Sequence, residues 1–462
     1  MASLTYSGAY VFAAGGQRAL AQPLALASGA ATALLVLLLL APRGAHTYLP
    51  LLGLALTWPL AGRFTRARLT VGAMPIVVAL AVTGYLLIAS AMASGPAIGM
   101  REALGVGAAA VVATVVAQWG LASADRDTLV TLGFACARGV LAGALFVAVD
   151  LLSQQALTAA GLRIMPMLAG DSLRHVQVAD GSIVGVYRYV LNRNVGALNL
   201  VVWPTAALFA ITAAWARDSR FHRFGQWILL PIVALATFTS EHESSKAALA
   251  VSLLVFGVAA WSRHGLRLAA TGWVCACVLV IPAVQFAAHL KLEESPYLTK
   301  SAQGRLVRWN EIVHRIADAP LMGLGADGMR SAYDTARQQT ACTDERPTCK
   351  TGRHPHNVYL QVWYELGVVG MLIFAGLGLA VLRLIGRTSD RLQPYALATF
   401  TATATMIAFS WSLWQLWLCC AIAMSAVLIA LAHRIEPERR VEGASASFSL
   451  RRRAMPVAVS FG

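Results

Sequence analysis

His354-Pro355-His356-Asn357 runs straight into VYLQVWYELGVVGMLIFAGLGLAVL over residues 358–382. The second piece is an apolar run. At 1.5 Å per residue such a run crosses a hydrocarbon core about 30 Å thick. Asn357 is a good N-cap, so a polar loop ends where a membrane helix begins.

The same signal recurs outward in both directions. The 462 residues are 58% hydrophobic and 13% charged, against about 25% charged in soluble domains. About twelve apolar spans are expected, near 24–41, 47–62, 70–93, 102–121, 128–150, 197–215, 225–240, 246–262, 268–290, 357–382, 393–410 and 412–432. These runs are too continuous for barrel strands, which alternate over about ten residues. The fold class is therefore an all-α polytopic membrane protein with a large, partly helical outer loop.

The net charge of +15 would suggest nucleic acid in a soluble protein. Here the excess sits in short loops and the tail, and no basic stripe interleaves with aromatics. Arg63, Arg66 and Arg68, Arg217, Arg220 and Arg223, Arg263 and Arg267, and Arg383, Arg387 and Arg391 fill alternate short loops. Short arginine-rich loops stay cytoplasmic. An even span count puts all of them, both termini and the basic tail on one side. The two long loops, 151–196 and 291–356, then lie on the other. The expected divisions are a cytoplasmic N-terminus at 1–23, spans one to five over 24–150, an outer loop at 151–196, and spans six to nine over 197–290. The large outer loop at 291–356, spans ten to twelve over 357–432, and a tail at 433–462 follow. Residues 1–20 lack an apolar core followed by a small-residue cleavage site, so the first span is expected to remain as an anchor.

Five of the seven cysteines lie in apolar runs. Cys342 and Cys349 sit in the large loop, and in an extracytoplasmic setting a local disulfide between them is plausible.

Within that loop, Leu306, Trp309, Val313 and Ile316 recur at helical spacing over 302–318, and Pro320 closes the segment. The spacing predicts a helix on the membrane or packed on the bundle, with Arg305 and Arg308 flanking its apolar stripe. His356 falls just outside the next helix N-terminus, where the positive dipole end disfavours imidazolium. A neutral imidazole can act as a general base, and the free N–H groups there can seat phosphate oxygens. A packed loop histidine is the plain alternative. His354 could join His356 as a metal pair, but no third ligand is evident. Arg188, Arg193, Arg305 and Arg308 all lie at a predicted border on the outer face. Guanidinium grips phosphate in a bidentate way; lipid-headgroup contact is the bland alternative. Ser240, Glu241, His242, Glu243 and Lys246 form a further polar knot on that face. Gly323, Gly325 and Gly328 spell G-x-G-x-x-G without a preceding strand, so a turn fits better than a dinucleotide site. Trp411, Trp414 and Trp417 suit an interfacial belt or helix packing.

With these residues laid out, the chain resembles the O-antigen ligase and O-antigen polymerase superfamily, most of all the ligases. The resemblance lies in Gly304-Arg305 and Trp309, Pro320-Leu-Met-Gly323-Leu-Gly325, His354-Pro-His356-Asn357-x-Tyr-Leu360 and Glu365-Leu-Gly367-x-x-Gly370. Asn192-Arg193-Asn194 ahead of span six also fits. The family's frequent Ser-Arg pair is replaced by Ser240-Glu241.

The resemblance implies an inner-membrane glycosyltransferase with a periplasmic site, needing no metal, nucleotide or other cofactor. Its donor would be a glycan on undecaprenyl pyrophosphate and its acceptor lipid A–core; a polymerase would use another lipid-linked glycan. His356 would be the base, with Arg305 and Arg193 in the catalytic set. Arg188, Arg308, His354, Asn357 and Lys246 would bind substrate, and the anomeric centre would invert. A flippase for the lipid-linked glycan is the reading from another class. It predicts charges near the bilayer midplane, whereas the distinctive charges here sit at one border.

Overall fold

The computed structural model describes residues 7–58, 73–93, 95–165, 176–179, 182–215, 220–262, 264–339 and 352–436. Its helices are α1 (Ser7–Leu40), α2 (Ala45–Thr57), α3 (Ala73–Ala91), α4 (Pro96–Val115), α5 (Arg126–Leu152), α6 (Ala156–Ile164), α7 (Asn192–Thr212) and α8 (Arg220–Thr239). They continue as α9 (Glu243–Trp261), α10 (His264–His289), α11 (Lys300–Arg315), α12 (Gly328–Gln339), α13 (Val358–Ile385), α14 (Gln393–Phe409) and α15 (Leu416–Ile435). Each of the expected spans meets one of these helices. Among the described residues, nine helices are long and apolar enough to cross a membrane. Three others, α2, α8 and α14, are apolar but shorter in their apolar reach.

The bundle is built around α7. Its residues from Asn194 to Thr212 are buried without interruption, and with no polar face it has nothing to present to water. It is wrapped by α1, α5, α8, α14 and α15. Several of its polar groups are paired inside: Asn194 Nδ2 donates to Leu39 O (2.7 Å) and Leu40 O (2.9 Å), and Trp203 Nε1 to Ser252 Oγ (2.9 Å). Span six was expected to start at 197. The helix starts five residues earlier, so Arg193 and Asn194 occupy its first turn rather than the preceding loop.

The smaller of the two long connections holds α6 and an antiparallel hairpin, β1 (Val176–Ala179) with β2 (Ser182–Val186). Buried Asp150 starts it: its carboxylate takes the amides of Leu157 (2.9 Å) and Thr158 (3.2 Å), holding the first turn of α6. That is a structural cap, and it settles the role of the acid at the end of span five.

The larger connection is tied into α13. That helix breaks at Gly367 (φ 63°, ψ −164°). The freed amides of Val368 and Val369 donate to Pro320 O (2.9 Å) and Leu321 O (3.2 Å). In return Gly325 N donates to Glu365 O (2.8 Å), and Tyr85 Oη to Leu366 O (2.8 Å). Each such group left unpaired in an apolar setting would cost several kcal/mol. The 320–325 segment therefore inserts where the helix opens. Only glycine fits the crossing: a Cβ on Gly323 would lie 2.3 Å from the Glu365 carbonyl carbon, and one on Gly367 2.4 Å from that of Leu321. The G-x-G pattern is thus a turn, as expected, and also a plug for a broken helix.

Candidate active site

Helix α11 carries the first two site residues. Thr299 caps it by accepting from Ala302 N (3.3 Å). Its apolar stripe packs on the bundle, with Val313 against Val284 of α10 and Leu360 of α13, and Ile312 against Met329 and Tyr364. Of the two placements expected for this helix, the packed one is observed. Arg305 and Arg308 extend beside that stripe, half-buried.

The His354–Asn357 segment is pinned over α11. Trp309 Nε1 donates to Pro355 O (2.6 Å). Asn357 Oδ1 accepts from Leu360 N (3.1 Å), the cap its position predicted, worth about 1 kcal/mol. His356 sits at φ 58°, a left-handed conformation unusual for a side-chain-bearing residue. The strain is held by the pairing on either side, and it turns the imidazole toward the connection between α14 and α15.

That connection is the seat of the site. Phe409 O accepts from Arg305 Nη1 (2.8 Å) and from Ser244 Oγ (2.8 Å). Ser410 O accepts from His356 Nδ1 (2.8 Å). The Ser410 hydroxyl pairs with His242 Nε2 (2.9 Å), and His242 Nδ1 with Ser245 Oγ (2.6 Å). Two consecutive carbonyls thus fix a guanidinium and an imidazole. Because Nδ1–H of His356 is committed to a carbonyl, its Nε2 is left as the acceptor nitrogen.

Charge completes the site. Burial and the cations of Arg305 and Arg308 push His356 down to about 4. Burial first, then His356 and these arginines, push His354 to about 3. Burial and Arg305 bring His242 to about 4. Burial also lowers Arg305 and Arg308 from the ordinary guanidinium range. Arg308 Nε and His354 Nδ1 are buried with no hydrogen-bond partner among the described residues. The His354 and His356 rings lie 4.1 Å apart. A cluster of cations and neutral imidazoles, with unpaired polar atoms and no facing carboxylate among the described residues, suits an anion. Among the described residues, no group of three His, Cys, Asp or Glu side chains is arranged to hold a metal ion.

The structure brings Arg305, Arg308, His354, His356 and Asn357 together and leaves three expected residues apart. Arg193 is half-buried at the start of α7, with Nε unpaired among the described residues and Arg43 as its charged neighbour. One turn on, Gly196 packs under Trp411, so Arg193 borders the seat without entering the histidine cluster. Arg188 is exposed in a short 3-10 turn. Lys246 pairs with exposed Glu243 (2.8 Å). Cys342 and Cys349 lie outside the described residues.

Sequence reasoning named His242 only as part of a polar knot and missed Ser244 and Ser410. The polar knot at 240–246 drew notice for its carboxylates and lysine, yet its histidine and serines do the docking. Trp411 stacks on His242 (4.6 Å) and meets Trp417 edge-on (4.7 Å), so these tryptophans are packing residues.

Comparison with known proteins points to the same segment. Residues 228–375 match the family model described as O-Antigen ligase. A Rickettsia bellii protein named "Putative polysaccharide ligase" is 29% identical over 144 residues, covering 30% of this chain and 35% of that protein. A Rickettsia conorii protein of the same description is 25% identical over 118 residues, covering 25% of this chain and 28% of its own length. The matches thus span about a third of those relatives. The similarity to O-antigen ligases covers the segment that carries His242, Arg305, Arg308, His354 and His356.

Proposed function

We propose that this chain is a membrane glycosyltransferase that moves a glycan from undecaprenyl pyrophosphate onto lipid A–core. The observation that carries this reading is the His356 imidazole: Nδ1 is fixed on Ser410 O, Nε2 has no partner among the described residues, and two half-buried arginines stand beside it. The family match and the name of the relatives, polysaccharide ligase, support a glycan transfer of the ligase type.

In this mechanism the acceptor hydroxyl donates its proton to Nε2 of His356 as its oxygen attacks the anomeric carbon. The carbon–oxygen bond to the diphosphate breaks, and the leaving diphosphate takes the electron pair. Arg305 and Arg308 hold the charge that develops on it, and Arg193 lies at the edge to guide it in. Attack opposite the leaving group inverts the anomeric centre. No nucleotide takes part, because the sugar–diphosphate bond already carries the driving force. Histidine in this position is a weak base in the empty site. The bound diphosphate offsets the arginine charges and raises its proton affinity, so the base is strengthened when substrate is present.

The arginine-rich short loops support an inner-membrane chain with cytoplasmic termini and a periplasmic site. The test is reconstitution of the full chain with lipid-linked glycan and lipid A–core. Glycan on the core is the expected product. Longer chains left on the lipid carrier would make the protein a polymerase. Donor crossing the bilayer without covalent transfer would make it a flippase.

A further inference from the structure

Below the site lies a buried acid that the proposed chemistry does not use. Glu365 is 0% exposed, two turns into α13 from Asn357. Its carboxylate accepts from Gln361 Nε2 (2.9 Å), from the Trp414 indole N–H, and from Met329 N (3.0 Å). A carboxylate buried in a membrane bundle is costly even when paired. Three donors from three directions mark what it holds together.

One donor leads to the arginines. Met329 lies in the first turn of α12, and the segment before it joins it back to α11, which carries Arg305 and Arg308. The other two lead to the seat. Gln361 Nε2 also donates to Ser412 Oγ (2.8 Å), and Gln361 Oε1 accepts from Leu413 N (3.0 Å). With Trp414 this fixes residues 412–414, directly after the Phe409 and Ser410 carbonyls that hold Arg305 and His356. The groups around His356 are His354 from its own segment, Arg305 and Arg308 from α11, and His242 from the start of α9 through Ser410.

We infer that Glu365 is a positioning residue: by clamping Trp414, Gln361 and the start of α12, it sets the 409–410 carbonyls and so the spacing of the His356 imidazole from the Arg305 guanidinium. This rests on the reading of His356 and Arg305 as the reacting site.

The test uses the full-length protein and the Glu365→Gln variant. The amide keeps the size, but its NH2 must face either Met329 N–H or the Gln361 and Trp414 donors, so one contact turns repulsive. The seat then loosens, and His356 moves away from the arginines toward water. The expected result is a roughly 100-fold fall in kcat with KM for the lipid-linked donor changed less than about 3-fold. NMR of the imidazole would show His356 titrating nearer the usual value of about 6.5 in place of about 4. Tyr85→Phe is the control. It removes only the bond to Leu366 O at the same helix break, and should lower thermal stability while leaving the His356 titration where it is. Should Glu365→Gln fail to fold, Ser412→Ala removes the hydroxyl that takes Gln361 Nε2 and Trp414 N and should give a smaller shift in the same direction. An unchanged His356 titration in the variant that folds, or an equal shift in Tyr85→Phe, overturns the inference. A wild type without transfer activity whose His356 still shifts in the variant supports the clamp and overturns the proposed function.

Discussion

Arg305 and Arg308 on α11 differ from Arg188 and Arg193 beside α7, although all four lie at the same predicted border. The first pair is half-buried, acts on three histidines and is partly bound to the Phe409 carbonyl. Of the second pair, Arg188 is exposed and Arg193 faces Arg43. Closeness to a membrane border therefore does not make a site. What makes one is a shared seat, here two consecutive carbonyls between α14 and α15.

The strongest test of that difference removes the imidazole. His356→Ala should cost about 10²- to 10⁴-fold in kcat for glycan transfer, the range for a lost general base. Loss of less than about 3-fold would remove the histidine from the chemistry. Next comes a direct contest between the arginine pairs. Arg305→Ala should cost about 10²- to 10³-fold in kcat, as a lost stabiliser of developing charge does. Arg193→Ala should cost roughly 10-fold, mainly in KM for the donor, since it meets the diphosphate only at the rim. Equal effects would erase the distinction.

Stability offers a milder contrast. His242, His354 and His356 are held near 4, 3 and 4 in the folded protein, against about 6.5 unfolded. As pH falls below about 6.5 the unfolded chain takes up protons first, so folded-state stability is full above that value and drains toward pH 4. The loss is up to about 1.4 kcal/mol per pH unit for each histidine. Melting temperature followed from pH 8 to pH 4 should fall with that onset, and His242→Gln should make the fall shallower. The smallest effects belong outside the cluster: Arg188→Ala and Lys246→Ala should each change kcat/KM by less than about 2-fold, because an exposed guanidinium and a surface ion pair contribute little.

Most of the fold was legible because membrane helices announce themselves by length and apolarity, and caps such as Asn357 by residue type. The α11 stripe and the glycine turn were legible for the same local reason. The seat was not. Phe409 and Ser410 serve through backbone carbonyls, which leave no mark in residue type. His242 reaches Ser410 across 168 positions of chain, a meeting decided by packing alone. Glu365 stood out only within the Glu365-Leu-Gly367 pattern, and its partners Met329 and Trp414 come from elements that sequence order keeps apart. Arg193 shows a different limit: its motif is clear, while its helix begins earlier than the hydropathy suggested.

The central claim is that a neutral imidazole, kept so by burial and by two neighbouring guanidinium groups, takes the proton from the acceptor. The pH dependence of kcat/KM for wild type and Arg305→Ala tests it most directly. The account predicts a wild-type profile flat above about pH 5 with an acid limb near 4. In Arg305→Ala the limb should move upward, because a repelling charge is gone, while the plateau drops. Identical limbs in the two proteins, or a wild-type limb at the unperturbed value of about 6.5, would contradict it.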